Sequence, residues 1–275
     1  MAGDYLHGVE QFFIESGSKP IKILSASVIG LVATADDADV TTFPLNTPVL
    51  VNSDKLIAKA GTTGTLRAAL SDIYRQSGAV VVVVRVAEDE VASDELANVI
   101  GGIDNEAGSY TGISALLSSE QFLGVRPRLL IAPEFSHLAG VGVALEAAAK
   151  KLNAIAIVDG SGQGFSAVTG EVSTFDAVYF INCGVNVWDD VAGAYVDRFA
   201  SASVAGHIVR VDNEEGYYNS PSNRKMYGIN GTVEIIDHQV GSNTSLANLY
   251  NEQNVTVIVN QQGGFYLYGN RLANG

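Results

Sequence analysis

The sequence predicts an α/β protein, with a doubly wound, mostly parallel sheet between two layers of helices. Five consecutive valines, Val80–Val84, alternate between the two faces of any strand that contains them, so both faces of that strand must be buried. Short β-branched segments also alternate with amphipathic segments, the order that βαβ units with right-handed crossovers produce. The 275 residues, 47% of them hydrophobic, suffice to fill such a core.

The strands are predicted where short apolar runs occur between turn residues. These runs are 27–33, 47–52, 79–86, 127–133, 153–159 and 177–182. Within the central strands, we expect residues 80–84, 129–131 and 154–158 to be almost wholly buried.

Helices are predicted between the strands, at 65–76, 111–122 and 138–152. The last of these helices ends in a basic turn, which suits the helix dipole. After Gly216 the pattern changes to short segments typical of antiparallel strands at an edge or in a small subdomain. These segments are 231–237, 254–260 and 264–270.

Charge and composition exclude several classes of partner. The formal net charge of −14 repels phosphate backbones and anionic membranes, so we expect no nucleic-acid partner. No segment has the ~18 apolar residues of a membrane span, and the N-terminus has no signal-peptide pattern, so we expect no membrane insertion and a cytosolic site of synthesis. The single cysteine, Cys183, excludes an internal disulfide framework.

The strongest candidate for catalysis is Asp159, which ends a predicted strand and precedes Gly160, Ser161 and Gly162. Open α/β sheets bind ligands at this end, and the segment resembles the aspartate segment of subtilisin-like serine proteases. A triad also needs a histidine base and an activated serine. The His-Gly-Thr-His and Gly-Thr-Ser segments of that family are absent, and the four histidines have unrelated contexts: His7, His137, His207 and His238. The favoured interpretation is a structural aspartate that caps the following loop.

Two further motifs favour structural interpretations. Gly61 and Gly64 precede a helix whose N-terminus could hold a phosphate, but no P-loop or dinucleotide pattern follows, which favours a turn with Thr65 as the N-cap. The acidic segment 36–39 lacks the spacing of a calcium loop, which favours a solvated loop. Cys183 has no histidine at helical spacing that could activate its thiol, which favours a buried, unreactive cysteine. The sequence therefore predicts no enzyme, no cofactor and no metal site.

Collinear segments along nearly the whole chain resemble one family. They are DYLHGVEQFFIES, SASVIGLVATADDAD, FPLNTPVLV, GTLRAALSDIYRQSGAVVVVVRV, TGISALLSSEQFLGVRPRLLIAPEFS, KLNAIAIVDG, GVNVWDD, EEGYYNSPSNRKMYGINGTVEI and FYLYGNR. The chain is similar to contractile phage tail sheath proteins of the P2-like and R-type pyocin kind. The resemblance implies a subtilisin-like outer domain without protease activity.

The resemblance also implies the domain organisation. We expect an N-terminal arm that links subunits at 1–20, an outer α/β domain at 21–265, and the start of a C-terminal inner domain at 266–275. Family members continue with a further domain after the segment that matches Gly269–Arg271, whereas this chain ends at Gly275. We therefore expect this chain to lack that inner domain.

The function that the resemblance implies is mechanical. Subunits polymerise as stacked rings around a tail tube, and contraction drives the tube through the host envelope. The implied partners are other copies of the chain, the tail tube protein, and the baseplate and tail terminator proteins. The implied location is the virion, with assembly in the cytoplasm of the bacterial host.

Two sets of residues are candidates for contacts between subunits. The side chains of the arm alternate between two faces, as in a strand donated to a neighbouring sheet, and both faces carry apolar residues. Its candidate residues are His7, Gly8, Val9, Phe12, Phe13 and Ile14. Tyr217, Tyr218, Arg224 and Lys225 are of types common at interfaces, although packing of the tyrosines within the domain is the alternative.

Two other functions remain as alternatives. A subtilisin-fold hydrolase needs a histidine and a serine within hydrogen-bond reach of Asp159. A small-molecule-binding α/β module needs a defined pocket at the strand ends.

Overall fold

The computed structural model of the protein describes residues 27–275. The predicted arm at 1–20, with candidate residues 7–14, lies outside the described residues. All six strands predicted for the main sheet are present. The described strands are β1 (Ile29–Thr34), β2 (Val49–Val51), β3 (Val81–Val86), β4 (Ile103–Asp104), β5 (Ser109–Tyr110), β6 (Leu129–Ile131), β7 (Ile155–Asp159), β8 (Val178–Ile181), β9 (Gly184–Asp189), β10 (Ala194–Phe199), β11 (Gly231–Thr232), β12 (Val257–Gln261) and β13 (Gly264–Tyr268).

Eight α-helices accompany these strands in the described part of the chain. They are α1 (Leu66–Gln76), α2 (Ala92–Ile100), α3 (Gly112–Ala115), α4 (Ser119–Leu123), α5 (Ala139–Leu152), α6 (Phe165–Val172), α7 (Ser201–Glu214) and α8 (Leu246–Glu252). Two short 3₁₀ turns lie at Asp54–Lys59 and Leu116–Ser118. No helix in residues 27–275 combines the length and the apolarity needed to cross a membrane.

The main sheet has six strands in the order β2-β3-β1-β6-β7-β8. Every neighbouring pair is parallel except β2 with β3, which is antiparallel and lies at one edge. β1 occupies the middle, with Ile29 opposite Val81 on one side and Leu129 on the other. The chain therefore winds outward from the centre in both directions, which confirms the largely parallel α/β fold.

The core divides into two clusters, one on each face of this sheet. In β3, Val81 and Val83 belong to one cluster, while Val82, Val84 and Val86 belong to the other. Helices α1 and α7 supply side chains to the first cluster, and α3, α5 and α6 supply them to the second. The valine run is thus buried on both faces, as predicted.

Burial differs from the prediction at the ends of the strands. Val80 precedes β3 and is only half-buried. Ile155, expected to be wholly buried, is 39% exposed at the first position of β7.

The helix predicted at 111–122 is broken into α3, a 3₁₀ turn and α4. The hydroxyl groups of Ser118 and Ser119 donate to the carbonyl groups of Ala115 and Leu116, at 2.7 and 2.5 Å. Serine hydroxyls that bond to nearby backbone compete with regular helix geometry, which explains the break.

The antiparallel region begins earlier than predicted, with the β9–β10 hairpin rather than after Gly216. Segment 231–237 was predicted as a strand, but only β11 pairs with β9, and Ile235 is 92% exposed. Helix α7 lies between these elements and was not predicted. Its residues from Ser201 to Val211 are almost all buried, so it has no polar stripe to reveal a helical period.

Candidate functional site

The carboxyl edge of the parallel sheet carries the residue with the strongest sequence case for chemistry, Asp159. Its carboxylate is buried and accepts hydrogen bonds from the Ser136 hydroxyl at 2.7 Å and the Ser201 backbone N–H at 2.8 Å. Burial raises the pKa of Asp159 to about 6. Ser201 is the first residue of α7, so Asp159 caps this helix rather than the loop that follows β7, which corrects the expectation from sequence.

No histidine in residues 27–275 hydrogen-bonds to Asp159. The His207 ring bonds to the Pro221 carbonyl at 3.0 Å and to the Arg210 side chain at 3.1 Å. His137 stacks on Phe199, with the ring centroids 4.4 Å apart. A serine hydrolase needs a histidine between its acid and its nucleophile, and the described residues supply none in that position.

The strand ends also form a small cleft with a volume of about 200 Å³. Its three carboxylates already accept hydrogen bonds from the same chain: Glu234 from the Gly184 N–H at 2.6 Å, Glu134 from the Phe199 N–H at 3.4 Å, and Asp197 from the Asn186 side chain at 2.7 Å. Desolvation raises the pKa of Glu134. Pockets for small molecules are typically ~300–1,000 Å³, so this cleft is small for a ligand site.

The loop before α1 has the geometry of an anion site, but Asp37 of the same chain occupies it. The Asp37 carboxylate accepts from the backbone N–H groups of Thr62 and Thr63, at 2.7 and 3.1 Å, and from both of their hydroxyl groups, at 2.8 Å. These bonds, led by that of the Thr62 hydroxyl, lower the pKa of Asp37. Gly61 has φ of 78°, and a Cβ there would lie 2.0 Å from an Asp37 oxygen.

This contact joins two motifs that the sequence treats separately. The glycine turn at 61–64 is present, and Thr65 is the N-cap of α1 by position, but its hydroxyl accepts from the Thr34 N–H at 3.1 Å and does not cap the helix. Asp36 and Asp37 are exposed, as expected for a solvated loop, and Asp37 also binds the glycine turn. No group of three or more His, Cys, Asp or Glu residues in the described chain could hold a metal ion. Cys183 is buried, and burial raises the pKa of its thiol, so it is not a reactive nucleophile.

The sheet's amino edge is organised differently, because both ends of the described chain lie there. Ser27 precedes β1 and its hydroxyl donates to the Asp212 carboxylate. Near the other end, the Ala273 N–H donates to the carbonyl of Val178, the first residue of β8, at 2.8 Å.

The candidate interface residues Tyr217 and Tyr218 follow α7 and are 76% and 78% exposed. Their rings meet edge to face, with centroids 5.8 Å apart. Gly216 has φ of 98°, and a Cβ there would lie 2.6 Å from the Tyr218 ring. The tyrosine pair therefore lies on the surface and does not pack the domain interior.

Arg224 and Lys225 lie beside the C-terminal hairpin. The backbone N–H groups of Asn223 and Met226 donate to carbonyl groups of β13 at 2.7 and 2.8 Å, and Lys225 forms an antiparallel bridge with Tyr266. The Arg224 side chain forms an ion pair with Glu215 at 2.5 Å. Segment 223–226 is thus held against β13 by a single β-bridge and flanking backbone bonds, a pairing that the turn residues around Pro221 conceal in the sequence.

Trp188 belongs to a separate surface on the β9–β10 hairpin. Its ring packs edge-on against Tyr195 at 5.2 Å, and both side chains are about half exposed, at 42% and 55%. Arg198 anchors the hairpin to α1 through an ion pair with the buried Asp72 at 3.0 Å. The segment from Trp188 to Lys225 therefore contributes to two different surfaces.

Two family descriptions match the chain. Residues 27–86 match the tail sheath protein Gp18 domain III N-terminal region, and residues 108–271 match the phage tail sheath protein central domain.

Individual relatives agree with this match. The tail sheath protein of Escherichia phage P2 is 36% identical over 282 residues, which cover 98% of this chain and 70% of the relative. The major tail sheath protein of Serratia phage KSP20 is 34% identical over 284 residues, which cover 100% of this chain and 71% of the relative. Among solved structures, the helical sheath of the anti-feeding prophage in its contracted state has a similar fold, with a TM-score of 0.61, 17% sequence identity, and coverage of 96% of this chain and 68% of that one.

Proposed function

The chain belongs to the phage tail sheath protein family, and from this premise we propose that its subunits polymerise around a tail tube and shorten as a lattice to drive that tube through the host envelope. It is a structural component of a contractile tail and of the virion that carries it. The observation that supports the mechanism is that Ser27, which follows the proposed arm, and Ala273 both lie at the amino edge of the sheet.

That location suits a subunit linked by arms. An arm of 20 residues spans at most ~70 Å when fully extended. A compact domain of this size has a radius of gyration of ~19 Å, so the arm can reach across an adjacent copy. The alternating segment with Val9, Phe12 and Ile14 can then add a strand to a neighbouring sheet, which keeps subunits linked while rings rotate and slide.

We propose that the chain is divided into three parts. Residues 1–20 are the linking arm, residues 21–265 the outer domain with a subtilisin-like fold, and residues 266–275 the connection to an inner domain. β13 crosses the last of these boundaries, so the β12–β13 hairpin joins the two parts. The specific partners are the tail tube, baseplate and tail terminator proteins, and assembly takes place in the host cytoplasm.

The carboxyl edge supports a structural role over the two alternatives. Asp159 is occupied by Ser136 and Ser201, and Asp37 fills the anion site before α1. Both carboxylates that suggest chemistry in the sequence therefore accept hydrogen bonds from backbone or hydroxyl groups of the same chain.

The test is assembly of an extended chain. The C-terminal part of the P2 relative, fused after Gly275, should allow tubes to form that are visible by negative-stain electron microscopy. Deletion of residues 1–16 from the fusion should abolish the tubes, because each link then loses several main-chain hydrogen bonds at ~1 kcal/mol each. A fusion that folds but never forms tubes would contradict the assembly mechanism.

A further inference from the structure

A cleft with a volume of about 440 Å³ opens at the amino edge of the sheet. Its apolar lining includes Leu129 and Ile155, the first residues of β6 and β7, together with Ile208 of α7, Tyr217 and Leu272. Polar side chains, among them Arg128 and Asp212, line it as well. The cleft therefore brings together apolar groups from separate parts of the chain.

Ile155 is unusually exposed for an apolar residue in a strand that has a neighbour on both sides. Its neighbours along β7 are buried, with Ala156 and Ile157 at 0% exposure, while Ile155 is 39% exposed. Tyr217, which lines the same cleft, is 76% exposed. Exposed apolar surface costs ~25 cal/mol per Å², so a segment that covers this cleft gains burial energy.

We propose that residues 21–26 of the same chain, Ile-Lys-Ile-Leu-Ser-Ala, occupy this cleft and anchor the root of the arm there. Ser27 is itself part of the cleft lining, and residues 21–26 immediately precede it in the sequence. Ile21, Ile23 and Leu24 supply the apolar side chains that the lining matches.

The reach of the segment agrees with the width of the cleft. β7 is two strands away from β1, a distance of ~10 Å at the usual spacing of strands. The three or four residues from Ser27 back to Leu24 and Ile23 span ~10–14 Å when extended. Ile23 can therefore reach Ile155 without any rearrangement of β1.

The consequence for assembly rests on the proposed function, whereas the docking itself does not. With its root held at the cleft, the arm leaves the domain at a fixed point beside Tyr217. Residues 7–14 are then seven to fourteen residues from the anchor, or ~23–50 Å, which is enough to reach the next copy. A pull on the arm is transmitted directly to the central sheet.

The experiment is disulfide trapping in the dilute, unassembled chain. The variant with Ile23→Cys and Ile155→Cys should form an intramolecular disulfide on mild oxidation, because Cβ atoms must come within ~4.5 Å for the bond to close. The matched control pairs Ile23→Cys with Ile235→Cys, an exposed residue outside the cleft. Native Cys183 is buried, and each single-cysteine variant checks that it takes no part.

We expect the first pair to cross-link at least tenfold faster than the control pair. Equal rates, or cross-links between molecules only, would overturn the proposal, the latter assigning the cleft to a second copy. Hydrogen exchange of the unmodified chain gives an independent measurement, since amides 21–26 should be protected and Ile155→Lys should remove that protection at unchanged far-UV circular dichroism. Unprotected amides in the unmodified chain would also overturn it. Neither measurement needs tubes, so failure of docking is distinguishable from failure of assembly.

Discussion

The two edges of the parallel sheet differ in which side chains they bury and which they expose. At the carboxyl edge, charged side chains are buried and their hydrogen bonds are made within the chain, as with Asp159 and with Arg85, which is only 4% exposed. At the amino edge, apolar side chains such as Tyr217 and Ile155 are exposed, and both ends of the described chain lie there. We call the carboxyl edge the closed edge, because its polar groups are hydrogen-bonded within the chain. We call the amino edge the open edge, because its apolar side chains are exposed to other segments.

This contrast shows how one architecture can serve a mechanical purpose. Open α/β sheets usually bind their ligands outside the carboxyl ends of the strands. Here that edge is filled by the chain's own polar groups, which stiffen the loops around it. A subunit that moves as a rigid body needs such stiffness, and it needs its contacts with neighbours elsewhere.

The largest expected effect on stability is that of a substitution at Arg85, in the closed edge. Its guanidinium donates to the carbonyl groups of Phe43 and Ala35, at 2.6 and 2.7 Å, and forms no ion pair with any described carboxylate. Arg85→Met should lower the free energy of unfolding by about 2–6 kcal/mol, since each buried acceptor left unpaired costs about 1–3 kcal/mol. Urea denaturation followed by circular dichroism measures the change.

Arg128 provides the matched control at the open edge. It is exposed, and among the described residues its side chain makes one hydrogen bond, from the guanidinium to the Asn153 carbonyl at 2.9 Å. Arg128→Met should change the free energy of unfolding by no more than about 0.5 kcal/mol. Comparable losses in the two variants would remove the distinction between the edges.

A second, smaller effect comes from the protonation of Asp159. Its folded pKa of about 6 lies above its ordinary value of 3.8, so the folded protein holds a proton that the unfolded chain has released. Stability from this group is therefore present at low pH, falls as the pH rises from about 4 to about 6, and is constant above that range. The loss is about 2–3 kcal/mol on the usual scale of 1.36 kcal/mol per pKa unit.

Asp159→Asn isolates this dependence from the titration of other carboxyl groups. The amide oxygen can still accept from the Ser201 N–H, and the side chain does not ionise. The free energy of unfolding of the variant relative to that of the original chain should increase between pH 4 and pH 6. A difference that is flat across this range would show that Asp159 is not held in a desolvated site.

The sequence predicts the main sheet well because its signals are local. The run Val80–Val84 and the short β-branched segments give both the strands and the burial of their two faces. The sequence also shows that Asp159 ends a strand, since the apolar run stops there. These features depend on neighbouring residues alone.

The rest depends on contacts between distant residues. Asp37 and Thr62 are far apart in sequence. Nothing in either segment shows that the Asp37 carboxylate binds the backbone N–H groups of the loop before α1. Helix α7 is buried at nearly every position from Ser201 to Val211, so its period is hidden. The open amino edge arises because Ser27, Tyr217 and Leu272 meet at one cleft, which only the folded chain reveals.

The smallest expected effect on stability, with a clear effect on assembly, concerns the tyrosine pair at the open edge. Tyr217→Ser with Tyr218→Ser should change the free energy of unfolding by no more than about 0.5 kcal/mol, because both side chains are largely exposed. If these rings contact a neighbouring subunit, their removal should raise the critical concentration for tube formation by the extended chain by about tenfold, as expected for the loss of ~1.4 kcal/mol per contact. Tyr195→Ser is the matched control, because Tyr195 is also an exposed, edge-packed aromatic but lies on the β9–β10 hairpin. The comparison between the edges requires that only the Tyr217 and Tyr218 substitutions shift the critical concentration, measured by sedimentation and electron microscopy. An equal shift for Tyr195→Ser would place subunit contacts on the hairpin as well as at the open edge, and a shift for Tyr195→Ser alone would place them on the hairpin instead.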